Sequence, residues 1–292
     1  MSDAYSVTSG VRVVNGSALA YDLYVPTARS TALAGILLLH GFGADRRSLA
    51  GHAARLAGAG VAAVLTPDMS SLMAGGVEVA RARNIAQAAD HALWLRTLPQ
   101  LAGGAGIALA GHSAGGAVVF EAAAVLAAQG AAPRGVCLLD GVPWERTSAA
   151  AASWPAAQVP LLAIRGADDS WNMNGKMRSV LNALPAPGAS VVFLPRSRHG
   201  DAIDPKRKLW ALRLAGLLGA PGSSQLIASL LDAFLRDALS SAPGGFETGA
   251  LAKLAAEHPD ELVVEHRRGT EASERAAVSA AADGAAKQVV AA

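Results

Sequence analysis

The stretch GIALAGHSAGG, residues 106–116, joins a short apolar run to a serine flanked by glycines. An apolar run of about five residues bounded by glycine is typical of a strand buried in a parallel sheet. The pentapeptide Gly111–Gly115 has the G-x-S-x-G spacing that places a reactive serine on a sharp turn between a strand and a helix. Ser113 is therefore a candidate nucleophile. Taken alone, the pentapeptide is equally compatible with a serine that caps the following helix.

Similar apolar runs recur along the chain and alternate with helical patterns. The predicted strands cover residues 35–39, 61–65, 106–110, 135–139, 160–164 and 190–194, and the predicted helices cover residues 47–58, 77–98, 115–129, 176–183 and 205–218. This alternation predicts an α/β fold, a mostly parallel sheet with helices on both faces. Two strand patterns also flank Asn15-Gly16, a pair typical of a type I′ turn, so an antiparallel hairpin over residues 11–25 should lead into the sheet.

The chain beyond residue 218 has a different pattern. Residues 225–239 carry a helical stripe of apolar side chains, which predicts a helix packed on the main body. A short helix is expected over residues 250–257 and a short strand over residues 261–266. We therefore expect a domain over residues 1–240, and a partly flexible C-terminal extension over residues 241–292.

Composition excludes several classes of protein. Charged residues make up 16% and apolar residues 52% of the 292-residue chain, which indicates a compact globular protein. The chain has no uncharged apolar run of about 18 residues, so no integral membrane segment is expected. The formal net charge of +2 gives no reason to expect a nucleic-acid partner.

The cysteine content and the N-terminal sequence indicate the cellular compartment in which we expect the protein. The single cysteine, Cys137, excludes an internal disulfide and a cysteine-based metal site. The first residues have no basic segment followed by an apolar one, which is the pattern of a secretory signal. We therefore expect a cytoplasmic protein, although removal of a signal would leave a similar N-terminus.

Other predicted strands also end in residues that can carry chemistry. His40-Gly-Phe-Gly43 follows the first predicted strand, Arg165-Gly-Ala-Asp-Asp169 follows the fifth, and His199 follows the sixth. Carboxyl ends of parallel strands meet at one edge of a sheet, so these residues should lie near Ser113. His199 is a candidate general base that takes the serine proton and returns it to the leaving group.

The other two parts of such a site are an acid and an oxyanion hole. A carboxylate could orient the imidazole of His199, and Asp169, Asp168 and Asp140 are all candidates on position alone. Acyl transfer through a tetrahedral intermediate also needs preorganised N–H donors. The backbone N–H groups of Phe42 and Ala114 are the candidates for that role.

Together the four motifs resemble those of the α/β-hydrolase family. They are HGFG at 40–43, GHSAGG at 111–116, GADD at 166–169 and RHGD at 198–201, and the resemblance covers roughly residues 11–218. The order Ser, Asp, His is the one expected for that fold. In the G-x-x-D pattern of the family, Gly166 aligns Asp169 as the acid. The resemblance thus implies a catalytic domain with the triad Ser113, Asp169 and His199, and an oxyanion hole formed by Phe42 and Ala114.

The resemblance also narrows the branch of the family. A serine nucleophile excludes the branches that use Asp or Cys instead. Residues 140–159 leave room only for a turn or a short helix, so no large cap domain is expected. The chain is thus similar to capless serine esterases, including cutinase-like, chlorophyllase-like and dienelactone-hydrolase-like enzymes, which implies an open site for small-molecule or polymeric esters. Trp144 and Trp171 are candidate lining residues, with ordinary partial burial as the alternative.

Several alternatives stay open at this stage. One is a non-catalytic α/β-hydrolase-like binding protein, and another is a thioesterase, peptidase or acyltransferase with the same triad. No cofactor or metal is expected, because the sequence has no H-x-x-x-H motif, phosphate loop or dinucleotide fingerprint. Asp201 and Asp204 are expected to cap a helix that begins near Pro205. The oligomeric state is not predicted.

Overall fold

A nine-stranded sheet forms the centre of the protein, as seen in a computed structural model. The structure describes residues 4–28, 33–70, 76–101, 106–143, 147–152, 154–155, 159–169, 177–184, 189–203, 218–240 and 242–268. The strands are β1 (Tyr5–Val14), β2 (Ser17–Pro26), β3 (Ala34–Leu39), β4 (Ala62–Pro67), β5 (Ile107–His112), β6 (Gly135–Leu139), β7 (Leu161–Gly166), β8 (Ala189–Leu194) and β9 (Val263–Arg268).

Helices cover both faces of this sheet. The α-helices are α1 (Ala50–Gly58), α2 (Val77–Arg96), α3 (Ala114–Ala128), α4 (Thr147–Ala152), α5 (Met177–Asn182), α6 (Ser223–Ala238) and α7 (Ala252–Glu257). Short 3₁₀ turns occupy Arg46–Leu49, Pro99–Leu101 and His199–Ala202, and a π-helical turn occupies Phe246–Leu251.

The strand order is β1-β2-β4-β3-β5-β6-β7-β8-β9. Strands β3 to β8 are parallel, whereas β1, β2 and β9 are antiparallel to their neighbours. The chain moves outward in one direction from β3 to β4 and in the other from β5 to β8. The carboxyl ends of β3 and β5 therefore form a topological switch point, which is where open α/β sheets bind ligands.

The N-terminal hairpin confirms the prediction made from Asn15-Gly16. Both turn residues have positive φ, 47° and 75°, as a type I′ turn requires. The strands are longer than predicted and pair from Tyr5 with Pro26 to Val14 with Ser17.

Each parallel strand is buried on both faces, which explains its continuous apolar sequence. Leu37 and Leu39 of β3 lie in one hydrophobic core together with Phe120 of α3. Ile36, which points to the opposite face, lies in a second core with Leu231 of α6. Burial of one such side chain contributes about 1.5–3 kcal/mol, so the strands are held mainly by the helices that cover them.

The predicted strands of the parallel sheet are all present, with ends that differ by at most two residues. The helix predicted over residues 205–218 lies outside the described residues. Residues 140–160 connect β6 to β7, and their described part forms only the short helix α4. Among the described residues, no helix is long and apolar enough to cross a membrane.

The C-terminal segment contributes to the sheet and to the second core. The strand predicted over residues 261–266 is β9, which pairs antiparallel with β8. Phe246 and Leu251 are buried, and the ring of Phe246 lies 5.3 Å from the ring of Phe234 on α6. The described part of the segment that was expected to be a partly flexible extension, residues 242–268, thus packs on the main body.

Helix α2 carries a stripe of buried polar residues that its sequence pattern does not predict. Arg81, Asn84, Gln87 and His91 are all buried. Arg81 pairs with Glu121 of α3, and the amides of Asn84 and Gln87 donate to backbone carbonyls at 3.3 and 3.4 Å. His91 is only 1% exposed, and neither ring nitrogen has a hydrogen-bond partner among the residues that the structure describes. Burial lowers its pKa to about 4, with Arg12 adding to the effect and Asp90 opposing it.

His91 should therefore make the protein sensitive to acid. The pKa of His91 is lower in the folded than in the unfolded protein, so protonation favours the unfolded state. The free energy of unfolding therefore falls as the pH drops below about 6.5, and the loss is complete near the folded pKa of about 4. The difference between these two pKa values limits the loss in the free energy of unfolding to about 3 kcal/mol. We expect His91→Leu to flatten this dependence, measured by chemical denaturation at pH 7, 5.5 and 4. His258→Gln, at a half-buried site, is the control, and parallel curves for His91→Leu and wild type would contradict the prediction.

Candidate active site

Ser113 lies on the turn between β5 and α3, where its backbone is strained. Its φ of 55° and ψ of −125° are a conformation that residues other than glycine rarely adopt. Backbone hydrogen bonds hold it there: its N–H donates to Leu139 at the end of β6, and its carbonyl accepts from Val142 at 3.0 Å. The side chain is 8% exposed. This geometry fits a nucleophile turn, and Ser113 makes no side-chain cap to α3.

The glycines of the pentapeptide allow the turn to pack closely. A Cβ atom on Gly111 would lie 2.3 Å from the carbonyl oxygen of Gly115. A Cβ atom on Gly115 would lie 2.3 Å from the carbonyl oxygen of His40, in the loop after β3. The G-x-S-x-G spacing therefore reflects two backbone contacts that leave no room for a side chain.

The loop after β3 lies directly beside Ser113. A Cβ atom on Gly41 would lie 2.7 Å from Cβ and 3.2 Å from Oγ of Ser113. Phe42, the next residue, has a 54% exposed side chain, whereas Ala114 is buried. As the first residue of α3, Ala114 has no intrahelical acceptor for its N–H.

His40 fixes the shape of this loop. Its Nε2 accepts a hydrogen bond from the N–H of Met69 at 3.1 Å, so the ring hydrogen lies on Nδ1, which donates to the carbonyl of Gly41 at 2.8 Å. Burial lowers the pKa of His40, only partly offset by the Gly41 hydrogen bond and by Asp68 and Asp45. His40 is thus a neutral neighbour of Ser113.

The carboxylate against the ring of His199 belongs to Asp140. Its Oδ2 accepts from Nδ1 of His199 at 2.6 Å, and its Oδ1 accepts from the N–H of Gly166 at 3.0 Å. Asp140 directly follows β6, is buried and has a φ of 44°. Because the carboxylate accepts from Nδ1, the lone pair of the imidazole lies on Nε2.

Asp169, the acid that the family resemblance implies, lies against the main chain of His199. Oδ2 of Asp169 accepts from the backbone N–H of His199 at 2.9 Å. The side chain therefore contacts the main chain of the histidine, while Asp140 contacts its ring. Asp168 is exposed, and its backbone carbonyl accepts from the guanidinium of Arg198 at 2.8 Å.

His199 begins the 3₁₀ turn that follows β8 and is buried. Asp201 organises this turn by accepting from the N–H of Arg198 at 2.8 Å, from the N–H of Gly219 and from the hydroxyl of Ser197. Burial raises the pKa of Asp201, and these hydrogen bonds oppose the shift. Asp201 was expected to cap a later helix, but it braces the turn that carries His199. Asp204 and Pro205 lie outside the described residues.

His112 connects β5, the strand before Ser113, to this turn. Its Nε2 lies 2.9 Å from the carbonyl of His199, and the two imidazole rings lie 4.6 Å apart. A carbonyl only accepts, so Nε2 of His112 carries the hydrogen. Burial, together with charge on the neighbouring His199, lowers the pKa of His112 well below its usual range.

Trp144 and Trp171, the candidate lining residues, lie outside the described residues. Among the residues that the structure describes, no three His, Cys, Asp or Glu side chains are grouped as metal ligands. Sequence reasoning missed the role of Asp201, whose signal is only its position two residues after His199.

Comparison with known proteins identifies the family. A family model described as the alpha/beta hydrolase family matches residues 36–290. The chain belongs to this family. Membership of the alpha/beta hydrolase family supports hydrolysis as the general reaction. No curated protein matches the sequence significantly.

Solved alpha/beta hydrolases share the fold at low sequence identity. A dienelactone hydrolase from Anabaena variabilis is 21% identical, with a TM-score of 0.59 over 78% of this chain and 96% of that chain. A dienelactone hydrolase-like promiscuous phosphotriesterase from metagenomic libraries is 17% identical, with a TM-score of 0.62 over 81% and 100% of the two chains. Carboxyl esterase 2 from the fungus Tuber melanosporum is 15% identical, with a TM-score of 0.61 over 82% and 88%.

The contact between Gly41 and Ser113 can be tested directly. A methyl group at Gly41 would lie closer to the side chain of Ser113 than side chains normally approach, so the loop or the serine must move. We expect Gly41→Ala to slow labelling by a fluorophosphonate by about 10- to 100-fold, because small misplacements of a reacting group are costly. Gly249→Ala, where an added methyl meets nothing within 4 Å, is the control. Labelling of Gly41→Ala at the wild-type rate would contradict the prediction.

Proposed function

We propose that the protein is a serine carboxylic-ester hydrolase that forms an acyl-enzyme on Ser113. The observation that carries the proposal is the 2.6 Å hydrogen bond between buried Asp140 and Nδ1 of His199, at the sheet edge where Ser113 lies on its strained turn. A carboxylate, an imidazole and a serine at adjacent strand ends form the constellation that activates a serine for acyl transfer.

In this mechanism His199 acts as general base through Nε2. Asp140 keeps the hydrogen on Nδ1 and stabilises the imidazolium that forms when the Ser113 proton is transferred. Oγ of Ser113 attacks the ester carbonyl carbon, and the resulting oxyanion is stabilised by the N–H groups of Phe42 and Ala114. Collapse of the intermediate expels the alcohol, which takes the proton from His199. Water then repeats the same steps and releases the acid.

An ester is the substrate class that these features favour. An alkoxide leaves more readily than an amine, so a triad with one general acid acts on esters most easily. The side chain of Phe42, exposed beside Ser113, offers an apolar surface to the acyl or alcohol group. The short described connection between β6 and β7 supports an open site that accepts bulky or polymeric esters as well as small ones.

The nucleophile is tested by a single substitution. We expect Ser113→Ala to lower kcat for p-nitrophenyl butyrate by at least about 10⁴-fold and to abolish fluorophosphonate labelling, because the attacking oxygen is lost. Ser6→Ala, at an exposed serine on β1, is the matched control and should behave as wild type. Equal activity of wild type and Ser113→Ala would refute the mechanism. An inert wild-type protein that resists the reagent would instead favour a non-catalytic binding protein.

The acid is tested by substituting the three candidate aspartates separately. Asp140→Asn keeps the shape of the side chain but loses the charge and the preference for one imidazole tautomer, so kcat should fall by about 10³- to 10⁴-fold. Asp168→Asn, at an exposed site, should leave kcat unchanged. A near-normal kcat for Asp140→Asn, together with a large loss for Asp169→Asn, would reverse the assignment.

A further inference from the structure

We propose that His112 and Asp169 are positioning residues that hold the main chain of His199 from its two sides. The inference rests on the serine-hydrolase mechanism above and deepens it. Asp169 accepts from the N–H of His199, and His112 donates to its carbonyl, both at 2.9 Å. With the hydrogen bond from Nδ1 to Asp140, the histidine is held at three points by three side chains.

The local backbone explains why such anchoring is needed. His199 starts a 3₁₀ turn of only four residues, His199–Ala202, and the geometry of hydrogen bonds in such a turn is poorer than in an α-helix. The bond to Asp140 fixes one ring atom but leaves the ring free to swing as its main chain shifts. Two bonds to the backbone of the same residue remove that freedom, so Nε2 keeps one position relative to Ser113.

His112 is suited to this role by its position. It is the last residue of β5 and directly precedes Ser113, so its hydrogen bond joins the strand of the nucleophile to the turn of the base. Its ring also packs on the ring of His199, with centroids 4.6 Å apart and planes tilted by 39°. Burial keeps the pKa of His112 low, so it donates as a neutral imidazole and adds no positive charge beside the base.

Asp169 is suited to the second anchor because β7 and the turn after β8 are already joined there. The N–H of Ala167 donates to the carbonyl of Ser197 at 2.8 Å, and Arg198 donates to the carbonyl of Asp168. The Asp169 carboxylate continues this line of contacts to His199. Asp169, the aspartate of the G-x-x-D pattern, thus acts here as a hydrogen-bond acceptor for a backbone N–H, and this role involves no proton transfer.

Matched pairs of variants separate hydrogen bonding from charge and shape. Asp169→Asn keeps an acceptor oxygen, whereas Asp169→Ala removes it. His112→Gln keeps an N–H donor at about the reach of Nε2, whereas His112→Phe keeps the ring and removes the donor. We expect the Asn and Gln variants to retain kcat within about 3-fold, and the Ala and Phe variants to lose about 10- to 100-fold in kcat with little change in KM.

The measurements are kcat and KM for p-nitrophenyl butyrate, the rate of fluorophosphonate labelling, and thermal unfolding to verify folding. His112→Asn, whose amide is too short to reach, replaces His112→Phe if the latter does not fold. Equal kcat values within either pair overturn the proposal, as does a loss in Asp169→Asn as large as that expected for Asp140→Asn. These results leave the mechanism intact when Ser113→Ala is inactive, whereas full activity of Ser113→Ala refutes the mechanism and the inference together.

Discussion

The site depends on a close contact between the backbones of two loops. The turn after β5 approaches the loop after β3 so closely that a single carbon added to Gly115 would lie 2.3 Å from the carbonyl of His40. That approach brings Gly41 against Ser113 and aligns the start of α3 with the loop that carries Phe42. The strained backbone of Ser113, with its φ of 55°, is maintained by the hydrogen bonds that its N–H and its carbonyl make with Leu139 and Val142.

A second constraint fixes which carboxylate reaches the imidazole. Strand β6 lies next to β5, so a residue at its end lies next to the nucleophile turn. Asp140 adopts a φ of 44° there, and the N–H of Gly166 on β7 binds one of its oxygens and leaves the other for His199. The end of β7 is one strand further from Ser113, and Asp169 there accepts from the backbone N–H of His199.

The sequence specified the fold closely because the parallel strands are buried on both faces and read as continuous apolar runs. The turn residues Asn15-Gly16 and the motif around Ser113 also predicted local structure well, because each requires a particular backbone conformation. The partner of His199 was not predictable in the same way. Asp140 and Asp169 both follow strands that end at one edge, and only side-chain geometry separates a contact with the ring from a contact with the backbone. The polar stripe on α2 was also hidden, because its partners are distant in sequence: Asn84 and Gln87 donate to backbone carbonyls, and Arg81 pairs with Glu121 on another helix.

The charges around the site restrict where a proton can be accommodated. Of the histidines around the site, His40 and His112 both have a pKa lowered by burial, which keeps them neutral. The ring N–H of each donates to a backbone carbonyl, so that hydrogen is not available for transfer to a substrate. Two carboxylates bind His199, Asp140 at the ring Nδ1 and Asp169 at the backbone N–H. In the proposed mechanism, the positive charge that forms on His199 is stabilised by Asp140, whereas His40 and His112 stay neutral and shape the site through their hydrogen bonds.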